Sequence, residues 1–459
     1  MHRENAKHEN AAEKSAIPQI SQPHLSAPGA RALSVNSVLS SEPAAAGERV
    51  RNAFPSSTNG QIIFVCPRFA ARLNSSKSGG PTVGGAETLL KAMAKRAQTI
   101  GFKVDFLTTC ARDHFTWRNE LEPGERLIEG LPVHFFPVDE NRDIEKFLRI
   151  QESISRNGKY TQKEEITWLK NSVNSSELCA YLRRHSRDCN RIVIGPYLFG
   201  LTYFAAQVCP EKTLLVPCLH DEGFACVRAI GEMFQRVAGC MFNSEPEKNL
   251  AGRLYNLPPE KCAVVGMGMD DFESDGTVFA EKRNFHSPYM IYSGRREDGK
   301  GTPLLLDYVT LFRKRNRVDL KIVFTGSGPI HAPAELQPHI LDLGFVSEKD
   351  KHEAMAGAIT FAHPSVNESF GIVLLESWLA GTPVLVHANC AVNSYHCRKS
   401  NGGLWFAAYP EFEEALLLLI NNRPLRDQMG RSGREYVLRE YNWKIIENKF
   451  RSALGQFAN

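Results

Sequence analysis

The chain is short of the features that would place it in several large functional classes. No stretch approaches the ~18 consecutive apolar residues of a membrane span. The first 58 residues, rich in Ser, Ala, Pro, Asn and Glu, hold no apolar run of signal-peptide length and read as a disordered tail. None of the eleven cysteines stands as Cys-x-x-Cys, which argues against a zinc site or disulfide framework and for the reduced thiols of a cytosolic protein. Charge excess is also missing. Lys and Arg number 55 against 51 Asp and Glu, a net +4 that leaves no broad field for nucleic acid, so any anion site must be local. No Asp-x-Asp triplet occurs, which removes one compact carboxylate device for holding a divalent metal. The first glycine-rich loop, GGPTVGG, lacks the Gly-x-Gly-x-x-Gly order of dinucleotide sites, which makes a nicotinamide dehydrogenase the weakest reading.

What is present is an alternation of short apolar β-type runs with helical patterns over a chain of 459 residues, too long for one ordinary core. QIIFVC (61–66), the loop 79–87, the helical TLLKAMAKRAQTIG and KVDFLTT (103–109) form one strand, loop, helix and strand unit. RIVIGP (191–196), TLLVPCL (213–219) and GCMFNS (239–244) continue it, and KCAVVGMGMD (261–270) closes it. The alternation restarts with YMIYSG (289–294), KIVFTG (321–326), LDLGFV (341–346), ITFAHPS (359–365) and TPVLV (382–386). The text between 140 and 190 is charged and helical, with Ser175 or Ser176 placed to cap ELCAYLRRH. Its basic RRHSR end (183–187) is ordinarily a solvated helix C-terminus; acceptor or membrane contact is the other reading.

These runs predict an α/β chain of two doubly wound, Rossmann-like domains facing a cleft. The expected boundaries are a tail over 1–58, a first domain over 59–268, a second over 269–440 and a last helix over 441–459 that crosses back to the first. The linker is expected near 268–286, where Gly, Asp and Ser interrupt the periodicity. Ligands in open α/β sheets bind outside the carboxyl ends of the strands, so the site should lie between the domains.

Three motifs follow strands. SGRREDGKG (293–301) places Arg295 and Lys300 where a loop can bring both onto a diphosphate, although such a loop taken alone is an ordinary solvated turn. At ESFG (368–371) the chain turns into a helix, so the amides around Ser369, Phe370 and Gly371 are aimed for an anion, with plain capping the bland alternative. Glu376 comes eight residues after Glu368. On one helix that spacing separates them by about 80° and about 12 Å, well beyond the about 5–5.5 Å of a paired-carboxylate site. The two glutamates read as separate hydroxyl ligands along one elongated molecule.

Residues 289–440 resemble the donor-binding domain of the GT-B glycosyltransferases, specifically retaining family four (glycosyl transferases group 1). The resemblance rests on SGRREDGKG, FTGSGP, LGFVSEKDK and HPSVNESFGIVLLESWLAGTPVLV in that order. The first half is similar to the acceptor domain through GGAETLLKAMAKRAQTIGFKVDFLTT, HDE (220–222) and FNSEPEKNL (242–250). The resemblance implies transfer of a sugar from a nucleoside-diphosphate sugar to a glycan, lipid-linked or small-molecule acceptor, with retention, in polysaccharide or glycoconjugate biosynthesis. It implies that Glu368 and Ser369 meet the donor sugar, that Phe370 and Gly371 offer amides, and that Glu376 binds both ribose hydroxyls. Arg295 and Lys300 would hold the diphosphate, Gly344, Phe345 and Val346 would frame the base, and Gly84 and Gly85 would approach from the other wall. His220 would lie near the transferred sugar; Ser244 faces the cleft or caps a helix. Gly326, Gly328 and Pro329 read as a tight strand exit. No cofactor and no metal is expected, and the location is expected to be cytoplasmic, with peripheral contact on the inner membrane face left open. The rival readings are a GT-B epimerase or phosphorylase and a non-catalytic sugar-nucleotide-binding protein.

Overall fold

A computed structural model describes residues 60–69 and 84–457; the expected tail over 1–58 and the loop residues 79–83 lie outside the described residues. The first sheet is built from β1 (Gln61–Val65), β2 (Lys103–Thr109), β3 (Gly124–Ile128), β4 (Leu131–Phe136), β5 (Arg191–Ile194), β6 (Thr213–Leu215), β7 (Gly239–Phe242) and β8 (Cys262–Val264). Its spatial order is β3-β4-β2-β1-β5-β6-β7-β8, and every pairing is parallel except the β3–β4 hairpin. The second sheet holds β9 (Tyr289–Ser293), β10 (Lys321–Thr325), β11 (Ile340–Asp342), β12 (Thr360–His363), β13 (Val384–His387) and β14 (Gly403–Phe406). It runs β11-β10-β9-β12-β13-β14, all parallel. Parallel strands need helical crossovers that cover both faces, which is why β1, β7, β9, β12 and β13 are almost wholly buried apolar runs.

Strand order decides where a ligand can sit. In the second sheet it reverses between β9 and β12, and in the first between β1 and β5. Loops leaving neighbouring strands at such a point diverge to opposite faces and leave a crevice at the carboxyl ends. The loops after β9 and β12 are those that carry Arg295 with Lys300 and Glu368 with Gly371.

The terminal helix Trp443–Gln456 crosses to the first sheet as expected. Arg451 Nη2 donates to the Ile100 carbonyl at 3.1 Å, Gln456 Nε2 to that of Glu260 at 2.9 Å, and Arg191 Nη2 to that of Phe457 at 2.7 Å. The Arg96 guanidinium lies 4.3 Å over the Trp443 ring.

Several local expectations change. The stretch 341–346 is strand only to Asp342, because Gly344 turns the chain out with a φ of +60°. The interrupted segment 268–286 contains a helix, Gly276–Arg283, whose Phe279 packs on Tyr289 of β9. The 140–190 region is three helices, and Ser175, not Ser176, supplies the cap by accepting from the Leu178 amide. No helix among the described residues is long and apolar enough to cross a membrane.

Candidate functional site

Lys300 and Glu368 meet at the reversal of the second sheet. Lys300 Nζ lies 2.7 Å from Glu368 Oε1, and His363 Nε2, at the end of β12, lies 3.0 Å from the same oxygen. The approach depends on Gly301, which has a φ of +70° and whose Cβ, if present, would stand 2.8 Å from the Pro364 carbonyl oxygen. Burial alone would push the Glu368 carboxyl up, but the Lys300 charge and the His363 hydrogen bond hold it well below the usual carboxylate range. It is therefore an ionised acceptor at neutral pH.

The helix after this loop, Ile372–Leu379, begins only past Gly371, which takes a left-handed φ of +78°. Glu368 thus sits on the loop, and the projection of both glutamates along one helix does not apply. They remain separate through different partners. Glu376, one turn into the helix, ion-pairs with Lys351 at 2.9 Å, and Lys351 also reaches Glu348 at 2.6 Å. Burial pushes the Glu376 carboxyl up while Lys351 opposes it. Glu348, His352 and Glu376 lie close enough to resemble a metal cage. The Lys351 ammonium already lies against both carboxylates, and the His352 ring stacks 3.5 Å from that of Phe272. Phe345 is 59 % exposed at the surface and Val346 half-buried, both just ahead of the helix that carries Lys351.

Arg295 is drawn across the cleft. Its Nη1 donates to His114 Nε2 at 3.2 Å, and its Nη2 lies 3.4 Å from Glu297. Burial, reinforced by the Arg68 and Arg295 charges, keeps His114 below the ordinary histidine range, so it is a neutral acceptor. The sequence reading missed His114, a lone histidine after β2 with no motif around it. The neighbouring Arg296 is the structural cation of this loop, 8 % exposed and paired with Asp342 at 2.7 Å. Gly326 and Gly328, expected as a strand exit, pack against the Gly294 and Arg296 backbones, with Pro329 exposed beside them.

The first sheet supplies the facing wall. His220 follows β6; burial holds its imidazole low, while Glu222 and Glu368 act in the opposite direction. Its Nδ1 lies 3.8 Å from Glu222, whose carboxylate accepts from the Tyr197 hydroxyl at 2.7 Å. Asp221 turns away to Arg253 at 3.4 Å. Ser244 both caps a helix, accepting from the Glu247 amide, and donates to the Ser369 carbonyl at 3.0 Å. Glu247 ties this wall together by accepting from the Leu219 and Asn243 amides at 2.6 and 2.5 Å. Burial pushes its carboxyl up to about 8, against those hydrogen bonds. Gly84 caps the helix Gly85–Thr99, and a Cβ on Gly85 would lie 3.7 Å from Ile372, so the two walls meet there.

With this geometry in place, known proteins sharpen the picture. Residues 277–436 match the family model described as glycosyl transferases group 1. Over those residues the second half is similar to the group 1 glycosyltransferases. Among relatives, a D-inositol 3-phosphate glycosyltransferase from Corynebacterium diphtheriae is 27 % identical over 238 residues, 47 % of this chain and 55 % of its own. A phosphatidyl-myo-inositol mannosyltransferase from Mycobacterium leprae is 34 % identical over 166 residues, 35 % of this chain and 44 % of its own. The chain thus spans about half the length of the curated relatives it matches. In fold the likeness extends over most of the chain. Sucrose-phosphate synthase from Thermosynechococcus elongatus superposes with a TM-score of 0.61 at 14 % identity, covering 87 % of this chain and 99 % of that one. Anabaena HepE in complex with UDP-glucose gives 0.61 at 14 %, covering 86 % and 100 %. The architecture is GT-B.

Proposed function

We propose that the protein is a retaining glycosyltransferase that moves a sugar from a nucleoside-diphosphate sugar to an acceptor hydroxyl, in glycoconjugate or polysaccharide synthesis. The observation that carries this reading is the Lys300–Glu368–His363 cluster at the reversal of the second sheet, facing His220 of the first. Glu368 and Ser369 take the donor sugar's hydroxyls, while the Phe370 and Gly371 amides meet the sugar or phosphate at the helix start. Glu376 grips the ribose, and the segment around Gly344, Phe345 and Val346 frames the base. Lys300 and Arg295 neutralise the diphosphate as it leaves, so transfer needs no divalent metal.

The sugar–diphosphate C–O bond breaks as the acceptor oxygen bonds the anomeric carbon on the same face, and the acceptor proton passes to the departing diphosphate. No enzyme nucleophile is required, which suits a Glu368 already engaged by Lys300 and His363. His220, neutral in its buried setting, hydrogen-bonds the sugar from the facing wall. HepE, a fold neighbour, is seen with UDP-glucose, which is consistent with a uridine donor among the candidates.

The test is incubation with UDP, GDP and ADP sugars and a panel of hydroxyl acceptors in the presence of EDTA, with the product anomer assigned by NMR. A product of the donor's own anomeric configuration supports the reading. Conversion of a nucleotide sugar without any acceptor, or dependence on free phosphate, replaces it with the epimerase or phosphorylase reading.

A further inference from the structure

A cavity of about 380 Å³ is lined by Tyr441, whose ring packs on Phe370, and none of the donor contacts proposed above uses it. Its size falls within the about 300–1,000 Å³ of small-molecule sites. Both halves wall it: Glu245 opens the helix after β7, Tyr395 and Lys399 lie on the helix Ala391–Ser400, and Tyr441 and Lys449 belong to the crossing segment.

The charges in this cavity are unevenly satisfied. Glu245 has Lys248 at 3.0 Å, and Glu440 accepts from Arg439 at 3.0 Å. The lysines have no such partner: among the described residues neither Lys399 nor Lys449 has a carboxylate within the 4.0 Å of an ion pair. Lys399 Nζ hangs 5.8 Å over the Tyr395 ring, and Lys449 Nζ lies 5.5 Å over Tyr441 with only the Glu440 carbonyl at 3.4 Å. Burial pushes the Lys449 ammonium below its ordinary range, while the Glu440 and Glu245 charges act in the opposite direction.

We propose that this cavity binds a small phosphate monoester, its dianion bridging Lys399 and Lys449 and its sugar or polyol body filling the remaining space, and that occupancy is transmitted to the Phe370 loop. The transmission path is contiguous. The Tyr441 ring lies 5.3 Å from that of Phe370, and its hydroxyl 3.2 Å from that of Tyr436. Tyr436 in turn meets buried His396 Nδ1 at 2.9 Å, and the His396 ring stands 6.1 Å from Phe370 and 5.7 Å from Tyr441, so the three rings form one cluster. A close-packed interior cannot absorb movement of Tyr441 without moving Phe370. Binding in the cavity is independent of the donor reading, whereas the coupling rests on it.

The experiment is calorimetric titration of the full chain with glucose 6-phosphate and ribose 5-phosphate, with the free sugars as controls. Saturable binding of a sugar phosphate is expected, weakened about tenfold or more in the Lys399→Ala, Lys449→Ala double variant, with unchanged melting confirming its fold. A saturating sugar phosphate should also change the affinity for whichever of UDP, GDP or ADP the protein binds by about threefold or more, in the wild type but not in the double variant. No saturable binding, equal binding by the double variant, or simple competition with the nucleotide would overturn the proposal. Lysine-dependent binding with no nucleotide binding at all would sustain the cavity and remove the donor reading.

Discussion

The two walls of the cleft handle charge in opposite ways. On the second-sheet wall the ionisable groups are paired: Lys300 with Glu368, Lys351 with Glu376, Arg296 with Asp342. The first-sheet wall has one such pair, Arg68 with Glu87, but there burial also drives groups toward neutrality, with His114 and His220 held low and Glu247 pushed up to about 8. A charged donor needs fixed counter-charges, while a hydroxyl acceptor and an activated sugar need a dry surface that does not compete for the proton. The contrast suits the division of labour between donor and acceptor that the proposed function requires.

The largest way to break that contrast is to remove a charge from the paired wall. Lys300→Ala should lower kcat by about 100-fold or more in a transfer assay, since the proposed diphosphate would then leave without one of its two cations. Glu376→Ala should act on binding instead, weakening nucleotide affinity about tenfold by calorimetry while changing kcat less. A change across the cleft should be milder: His114→Ala frees Arg295 and should lower kcat/KM by about three- to tenfold without altering the melting temperature. The prediction for the neutral wall concerns stability, not turnover. Glu247 has a folded pKa of about 8, above its unfolded value of about 4.3, so its contribution to stability is full below the unfolded value and is lost as pH rises through the folded one. Thermal denaturation followed from pH 5 to pH 9 should show this decline in the wild type and a flatter profile in Glu247→Gln.

Much of the scaffold was legible because buried parallel strands are short apolar runs. KVDFLTT is strand over its whole length, and the other predicted runs contain strands whose ends differ by a few residues. The hairpin β3–β4 and the strand β14 escaped notice for the converse reason. GERLI in β3 lies at a sheet edge and is mostly exposed, and β14 leaves Trp405 43 % exposed, so neither carries a buried strand's signature. At the site, the spacing of Glu368 and Glu376 separated them for a helical reason that does not hold, because Gly371 starts the helix three residues after Glu368. Lys351 and Glu247 stood inside quoted motifs, but their partners come from other elements, and only the fold brings those together. His114 had no local signal: its meaning comes from Arg295, 181 residues away.

The most direct measurement is calorimetric titration of wild type and Lys300→Ala with UDP, GDP and ADP and their sugars. One nucleotide class should bind the wild type saturably, and the variant should lose about tenfold or more of that affinity. Absence of binding for every nucleotide, or identical affinity in the two proteins, would contradict the placement of a donor diphosphate at Lys300.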